Sequence, residues 1–389
     1  MGDEAGQAYR RAQQLAQLGR YEDAERAARE GLAVAPGHGR LLTLLASVLR
    51  MRREYAAALA AADAAVAAAP QLADAHAERA ESLILLIRSK DAVAAAGEAV
   101  RLDPLDATAH LVLARALAAA RDTERARAAA AHGLSLDPRS VEGLLTVADV
   151  ERDAGNRETA VAAARAALAI DPESAYGRWL IAMLDAERLR VRRSMRGLRD
   201  VARDHPARPD LISMTWPIRG VLSGLRRGLA VGAAIVCVVL LAGHWWWPAA
   251  TTFARILAGV LAAVLAGFAV RVLVPAGRLP WRCLPLLPPL MRRANIAALA
   301  VLAAAVAVLV LQAATGWWPL AVLALLLAPV LWALGLAELL GAGLDDPGFR
   351  HAFRDLAGEF RDWWATTKRD LRAAWSDDPP STPDDSGPP

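Results

Sequence analysis

The 389-residue chain contains little of the chemistry from which catalytic and metal sites are built. It has two cysteines and seven histidines, and none of them stand at metal-ligand spacings. It also has no glycine-rich phosphate loop and no dinucleotide-binding fingerprint. From these absences we expect no catalytic residue, no bound metal and no cofactor, so the protein is predicted not to be an enzyme.

Other residue types are scarce as well. The two cysteines, Cys237 and Cys283, lie in an apolar run and in an arginine-rich loop, so no disulfide framework is indicated. Residues 1–30 are polar and charged, and we therefore expect no signal peptide. Lysine occurs twice against 43 arginines, and this bias, together with abundant alanine, indicates a GC-rich bacterial genome.

One regularity fills the first half of the chain, where a proline recurs at a fixed 34-residue step. These prolines are Pro36, Pro70, Pro104, Pro138, Pro172 and Pro206. Proline ends a helix and restricts the residue before it, so each one marks the end of a unit. The period therefore predicts a solenoid of helix–turn–helix units. The units are 5–38, 39–72, 73–106, 107–140, 141–174 and 175–208.

Each unit has small residues at three positions, counted from its first residue. Position 8 is Ala12, Ala46, Ala80, Ala114, Ala148 and Ala182. Position 20 is Ala24, Ala58, Ala92, Ala126, Ala160 and Ser194, and position 24 is Ala28, Ala62, Ala96, Ala130, Ala164 and Leu198. Small residues let the two helices of a unit approach closely. Gly19 and Gly155 fall at position 15, where we expect the chain to turn between the helices.

The small-residue positions and the terminal proline resemble the tetratricopeptide repeat, and the resemblance covers residues 5–208. The bulky aromatic residues that the family favours at positions 4 and 11 are mostly replaced here, for example by His76, His110 and Leu49. The resemblance implies a right-handed superhelix whose concave face is lined by the first helix of each unit. It implies that this face binds peptides or helices of partner proteins, and it implies no chemistry.

The resemblance also places a partner-binding groove at unit positions 2, 5 and 9. The candidate groove residues are Tyr9, Gln13, Arg40, Thr43, Ser47, Asp74, Glu81, Arg115, Glu142, Asp149, Tyr176, Trp179 and Met183. The lysine and asparagine of the subclass that clamps a C-terminal carboxylate are missing. A mixed-charge groove with aromatic residues at one end suits an internal amphipathic segment. The alternative is that these residues are ordinary solvated positions of a solenoid.

Four long apolar runs follow residue 227. They cover 229–247, 253–274, 294–312 and 319–340, with 19–22 residues each. At the helical rise such lengths reach about 30 Å, the hydrocarbon thickness of a bilayer. The runs therefore predict four membrane-spanning helices. Their ionisable residues lie near the ends of the runs, which favours an anchor over a transport path, and self-association of the spans is compatible with the sequence.

The distribution of arginine predicts the orientation. Arginines precede the first span, fill the loop 275–293 between the second and third, and follow the fourth. The connections 248–252 and 313–318 carry no charge, and tryptophans stand beside both. The positive-inside rule and the aromatic belt both put the N-terminus, the middle loop and the C-terminus in the cytoplasm. The predicted location is a bacterial plasma membrane.

The sixth unit differs from the others in charge. Residues 1–174 carry 21 basic and 25 acidic residues, a net of −4, whereas 175–208 carry nine and four, a net of +5. This unit is interpreted either as a basic cap that rests on anionic headgroups or as a polar cap that only protects the stack. No nucleic acid is expected, because acids are interleaved. The candidate membrane-surface residues are Arg188, Arg192, Arg193, Arg196, Arg199, Arg203, Arg226 and Arg227.

Two segments next to the spans also carry apolar residues. Residues 209–228 are expected to be a joint whose apolar stripe lies at the membrane interface. The stripe consists of Ile218, Val221, Leu222 and Leu225. The proline-rich loop 275–293 is expected to follow the membrane surface without a regular helix.

The end of the chain has two parts. Aromatic residues recur at helical spacing over 346–375, which predicts an amphipathic helix. Its aromatic stripe fits the membrane surface, or alternatively the solenoid or a second subunit. Residues 376–389 have the composition of a disordered tail.

These patterns predict an all-α protein with a six-repeat superhelical solenoid followed by a four-helix transmembrane region. The predicted function is a membrane-anchored cytoplasmic scaffold or adaptor that binds partner proteins through its groove. The alternative is a transporter or membrane-enzyme subunit with an appended regulatory solenoid. The expected partners are a protein or peptide in the groove and membrane lipid.

Overall fold

In the computed structural model of the protein, the described residues are 2–204, 211–246, 250–345, 348–350 and single residues or pairs between 353 and 368. Every regular element within these residues is a helix. Most of the predicted helix 346–375 and the whole of the tail 376–389 lie outside the described residues.

Twelve helices form six antiparallel pairs, one pair for each unit. The pairs of the first three units are α1 (Gly2–Gln17) and α2 (Tyr21–Val34), α3 (Gly39–Met51) and α4 (Tyr55–Ala68), and α5 (Ala73–Leu85) and α6 (Ser89–Leu102). The remaining pairs are α7 (Ala107–Ala119) and α8 (Thr123–Leu136), α9 (Val141–Asp153) and α10 (Arg157–Ile170), and α11 (Ala175–Glu187) and α12 (Val191–Asp204). Each unit packs on the next, so the predicted solenoid is confirmed.

The small residues at positions 8, 20 and 24 are the contact points of these pairs. All eighteen side chains are at most 2% exposed, including the exceptions Ser194 and Leu198.

His76 and His110 occupy equivalent positions of two units and make the same contact. Each ring Nε2 donates a hydrogen bond to the carbonyl oxygen of a turn proline, Pro70 at 2.9 Å and Pro104 at 3.0 Å. Both histidines therefore stabilise the junction between two units.

The turn inside each unit requires a left-handed residue at position 15. All six residues there have positive φ angles: Gly19, Arg53, Ile87, Arg121, Gly155 and Leu189. Only glycine adopts this conformation without steric cost, whereas a β-branched residue is strained in it. The sequence marked this turn only at its two glycines. The other four units form the same turn because the packing of their helices imposes it.

We predict that Ile87→Asn stabilises the solenoid by about 1 kcal/mol, because asparagine tolerates the left-handed region. Ile87 has a φ of 62° and is 57% exposed, so the change removes no core contact. The control is Ile87→Thr, which is also polar but keeps the β-branch and hence the strain. Urea unfolding of the full-length protein in detergent, followed by circular dichroism, compares them. Equal stability of the two variants would contradict the strain argument.

Four long helices follow the solenoid, and the four apolar runs fall on them. They are α14 (Trp216–Trp246), α15 (Ala250–Ala276), α17 (Pro289–Thr315) and α18 (Trp318–Asp345). Short helices precede and separate them: α13 (Leu211–Met214), α16 (Leu279–Cys283) and a 3₁₀ turn (Leu284–Leu286). By length and composition, all four long helices could cross a membrane.

The four helices pack as a bundle. A Cβ atom at Gly341 would lie 2.9 Å from the backbone nitrogen of Met291, which shows how closely α18 approaches α17. Arg219 of α14 pairs with Glu338 of α18. At the other end of the bundle, Arg255 donates to the carbonyl oxygens of Ala313 and Ala314 at 2.9 and 2.7 Å. These contacts satisfy carbonyl groups at the end of α17 that have no partner within the helix.

The joint differs from its sequence-based expectation. The first of the four long helices begins at Trp216, so the apolar stripe belongs to α14. Its four residues are at most 5% exposed and pack in the core of the bundle instead of lying at an interface. The reason is that α14 packs on α15 and α18, and the stripe is part of the one buried cluster that these helices form with α12 and the loop after α15.

The loop 275–293 differs in the same way. Helix α15 runs through Pro275, and a short helix and a 3₁₀ turn follow it. Leu284 and Leu287 are buried in one cluster with Met195 and Leu198 of α12. Leu284 and Leu287 therefore belong to the core that the bundle shares with the last repeat, whereas Leu286 is 64% exposed.

Candidate functional site

The concave face of the solenoid holds a groove across the first five units. Its cavity has a volume of about 530 Å³ and is lined almost entirely by first helices. Eight of the predicted groove residues line it: Tyr9, Arg40, Thr43, Ser47, Asp74, Glu81, Arg115 and Glu142. The 34-residue period brings them together, because equivalent positions of successive first helices lie side by side.

A buried ion pair forms part of the groove wall. Arg50 of α3 donates to Glu78 of α5 through Nε at 2.6 Å and Nη2 at 3.3 Å, and the two side chains are 18% and 11% exposed. Burial raises the pKa of the Glu78 carboxyl, although the Arg50 guanidinium opposes this shift. Burial alone would lower the pKa of Arg50, but its hydrogen bond to Glu78 and the nearby carboxylates outweigh burial and raise it.

A second network continues along the groove. Arg115 of α7 donates to Glu81 of α5 at 2.5 Å, and to Glu142 and Thr146 of α9 at 3.0 and 3.2 Å. Burial would lower the pKa of Arg115, but the charges of Glu81 and Glu142 raise it. Arg115 thus connects three successive units and holds their first helices together.

Most charges of the groove are therefore committed to internal pairs. The exceptions are Arg40 and Asp74, which are exposed and make no ion pair within the described residues. Beside them lie the hydroxyl groups of Ser47 and Thr108 and the apolar side chain of Leu44. An incoming segment would meet one free cation, one free anion and a partly apolar surface.

Sequence reasoning missed Arg50 and Glu78, although a signal for Glu78 was present. Glu78 stands at position 6, where the equivalent residues of later units are Val112, Thr146 and Leu180. A carboxylate at a packing position requires a partner. Comparing the units at that position would have identified it. Arg50 gives a weaker signal of the same kind: it stands at position 12, where most other units have an apolar residue but the fifth also has an arginine, Arg152.

The other predicted groove residues lie elsewhere. Gln13 is exposed on α1 and does not line the cavity. Tyr176 donates to Asp149 at 2.5 Å and stacks on Trp179 with the ring centroids 5.5 Å apart. Burial raises the pKa of Asp149, with its hydrogen bond to Tyr176 opposing, and burial and the charge of Asp149 raise the pKa of Tyr176.

The end of the concave face next to the bundle is closed by the chain itself. The Nε1 of Trp179 donates to Ser213 of α13 at 3.1 Å, and Met183 packs against the core of the bundle. Trp216 of α14 donates to Ser194 of α12 at 3.0 Å. Trp179 and Met183 therefore hold the solenoid on the bundle, and they are not brought together with the cavity.

The predicted membrane-surface residues fall into three groups. Arg192, Arg193 and Arg196 face α15, and Arg199 and Arg203 are exposed farther along α12. Arg188 lines a recess beside Arg157. Arg226 lies 5.3 Å from the ring of Trp332, and Arg227 is exposed. Their contact with lipid remains a prediction. Among the described residues, no three His, Cys, Asp or Glu side chains are grouped as metal ligands.

We predict that Glu78→Leu lowers the free energy of unfolding by about 3–5 kcal/mol, because it leaves the buried Arg50 charge without a partner. The double variant Arg50→Met/Glu78→Leu is expected to recover most of this loss, since no charge then remains unpaired. Urea unfolding of the full-length protein in detergent, followed by circular dichroism, measures both.

The control is the exposed pair Arg79–Asp63, whose side chains are 37% and 50% exposed. Asp63→Leu is expected to lower the free energy of unfolding by less than about 1 kcal/mol, because water screens an exposed ion pair. A double variant as unstable as Glu78→Leu would contradict the assignment of the loss to the unpaired arginine.

A family model described as tetratricopeptide repeat matches residues 4–73 and 88–141. No curated protein matches the chain. The matched ranges fall almost entirely on the first four units, which contribute every lining residue of the cavity except Glu142.

Several solved structures are similar to this chain at low identity. A thermophilic tetratricopeptide protein of Thermus thermophilus is 22% identical, with a TM-score of 0.44 over 46% of this chain and 98% of that one. PilF of Pseudomonas aeruginosa is 17% identical, with a TM-score of 0.41 over 53% and 94%. YrrB, described as having an unusual peptide-binding site, is 20% identical, with a TM-score of 0.33 over 43% and 86%.

Proposed function

We propose that this chain, a tetratricopeptide-repeat protein over its N-terminal half, is a membrane-anchored scaffold that holds a partner protein in its concave groove. The groove is the observation that supports this function best. It is open, it has a volume of about 530 Å³, and it leaves Arg40 and Asp74 without an ion pair among the described residues. Such a surface suits an amphipathic segment that carries both charges.

The proposed occupant lies across units 1 to 4. Arg50, Glu81 and Arg115 are held by internal pairs and shape the groove, while Arg40 and Asp74 are available to a partner. Confinement of the scaffold to the membrane would raise the local concentration of whatever it binds.

We predict that Arg40→Glu/Ser47→Trp abolishes partner capture. The first change reverses the free cation, and the second fills the groove with a bulky ring without touching an internal ion pair. The measurement is affinity capture with the full-length protein from its own membranes, scored by quantitative mass spectrometry against wild type.

The matched control is Ala60→Trp, which adds the same ring to an exposed position of α4 in the same unit, outside the cavity. A genuine groove partner is retained by the control and lost by the groove variant. A partner retained equally by both variants would contradict groove binding.

Anchoring by the four long helices is part of the same proposal. Their lengths suit a bilayer, and many of their apolar side chains face outward, such as Val231, Val264 and Leu326, each at least 60% exposed. The arginine distribution favours a solenoid and a middle loop on the cytoplasmic side.

We predict that cysteine labelling reports this orientation. In a Cys237→Ala/Cys283→Ser background, Arg278→Cys should react with a membrane-impermeant maleimide only after the cells are opened. Thr315→Cys should react in intact cells, because it lies at the other end of the bundle; both positions are exposed in the structure. The reverse pattern would overturn the proposed orientation.

One observation favours the alternative of a transporter or membrane-enzyme subunit. Gln312 of α17 is fully buried, and neither polar atom of its side chain has a partner within the described residues. Polar groups inside a membrane often mark functional sites. Replacing 216–345 by an unrelated four-span anchor separates the two functions: a scaffold keeps its activity, and a functional bundle loses it.

A further inference from the structure

A cleft lies where the last repeat meets the second long helix. Its volume is about 530 Å³. The start of α12 and the residue before it contribute Arg190, Arg192, Arg193 and Arg196, and the last two turns of α15 contribute Arg271 and Pro275. Two segments that are distant in sequence thus place their arginines around one space.

Five guanidinium groups share this cleft, and none of its lining residues is acidic. Arg190 makes a 3.5 Å contact with Asp185, whereas Arg192, Arg193 and Arg271 have no ion pair within the described residues. Most arginines of the first five units do pair with carboxylates. Like charges around a cleft with low-dielectric walls concentrate a positive potential there, which an anion would neutralise.

The surface beside the cleft indicates the source of that anion. Val270 and Val274 lie on α15 next to Arg271 and Pro275, and they are 59% and 69% exposed. A lipid with its phosphate among the arginines would find an apolar helix surface for its acyl chains. A soluble phosphate would use only the arginines.

We propose that this cleft binds the phosphate group of an anionic membrane lipid and so ties the sixth repeat to the second span. Arginine suits this role, because its planar group donates two hydrogen bonds to one phosphate. The bound lipid would bridge α12 and α15, adding to the apolar contact that Met195 and Leu198 already make with the bundle. The inference rests on the proposed membrane location but not on groove binding.

The test is native mass spectrometry of the full-length protein, purified in a neutral detergent and titrated with phosphatidylglycerol or phosphatidylcholine. The wild type is expected to retain one phosphatidylglycerol in preference to phosphatidylcholine. Arg193→Gln/Arg271→Gln should weaken this binding roughly 25-fold, because each charge near a headgroup contributes about fivefold. Arg193→Lys/Arg271→Lys keeps both positive charges and should weaken the binding less than the change to glutamine does.

The matched control is Arg199→Gln/Arg203→Gln, which removes the same charge from the same helix outside the cleft. It should weaken binding less than about twofold, because a charge outside the cleft makes no hydrogen bond to the phosphate. If the two double variants to glutamine weaken phosphatidylglycerol binding equally, the lipid is held by diffuse charge attraction instead of a specific site, and the proposal is wrong. If soluble glycerol phosphate binds as tightly as the lipid, the lipid assignment is wrong. Capture of a groove partner is a separate readout, so the two proposals can fail independently.

Discussion

The close approach of two helices within each unit is the constraint on which the rest of the structure depends. At three positions of every unit the side chain is buried to 2% exposure or less, and alanine occupies nearly all of them. Because each unit meets its neighbour through the same faces, the first helices lie side by side. The groove is a consequence of this packing: Arg40, Asp74 and Thr108 share one surface because they all stand at position 2.

The solenoid is joined to the bundle where this rule is broken. The sixth unit has Ser194 and Leu198 where the others have alanine. Ser194 accepts a hydrogen bond from Trp216 of the first long helix, and Leu198 belongs to the same buried cluster as Leu284 of the loop. The exceptions thus add contact between the repeat and the bundle to the helix–helix contact within the repeat.

The sequence predicts well what depends on a local period and poorly what depends on contacts between distant segments. The six units, their small-residue positions and eight groove residues followed from the 34-residue step. The Arg50–Glu78 pair did not, since its members come from different units. The stripe on α14 was recognised as apolar, but its burial depends on the later helices α15 and α18, on which α14 packs. Periodicity reports which face of a helix is apolar, not what covers that face.

The contacts between the solenoid and the bundle lie apart from the groove, so the two parts of the chain can have different functions. Within the described residues, α11 and α12 are the solenoid helices that pack in the core of the bundle, through Ala182, Val191, Met195 and Leu198. Repeat arrays are stabilised by nearest-neighbour interfaces, so a segment bound across units 1 to 4 would have little direct effect on the bundle. In the proposed function, the bundle therefore determines where the protein is held, and the free groups of the groove determine what it holds. The Asp149–Tyr176 contact and the Trp179–Ser213 hydrogen bond connect the fifth unit to α13, so they are one path by which a functional site within the bundle would be coupled to the groove.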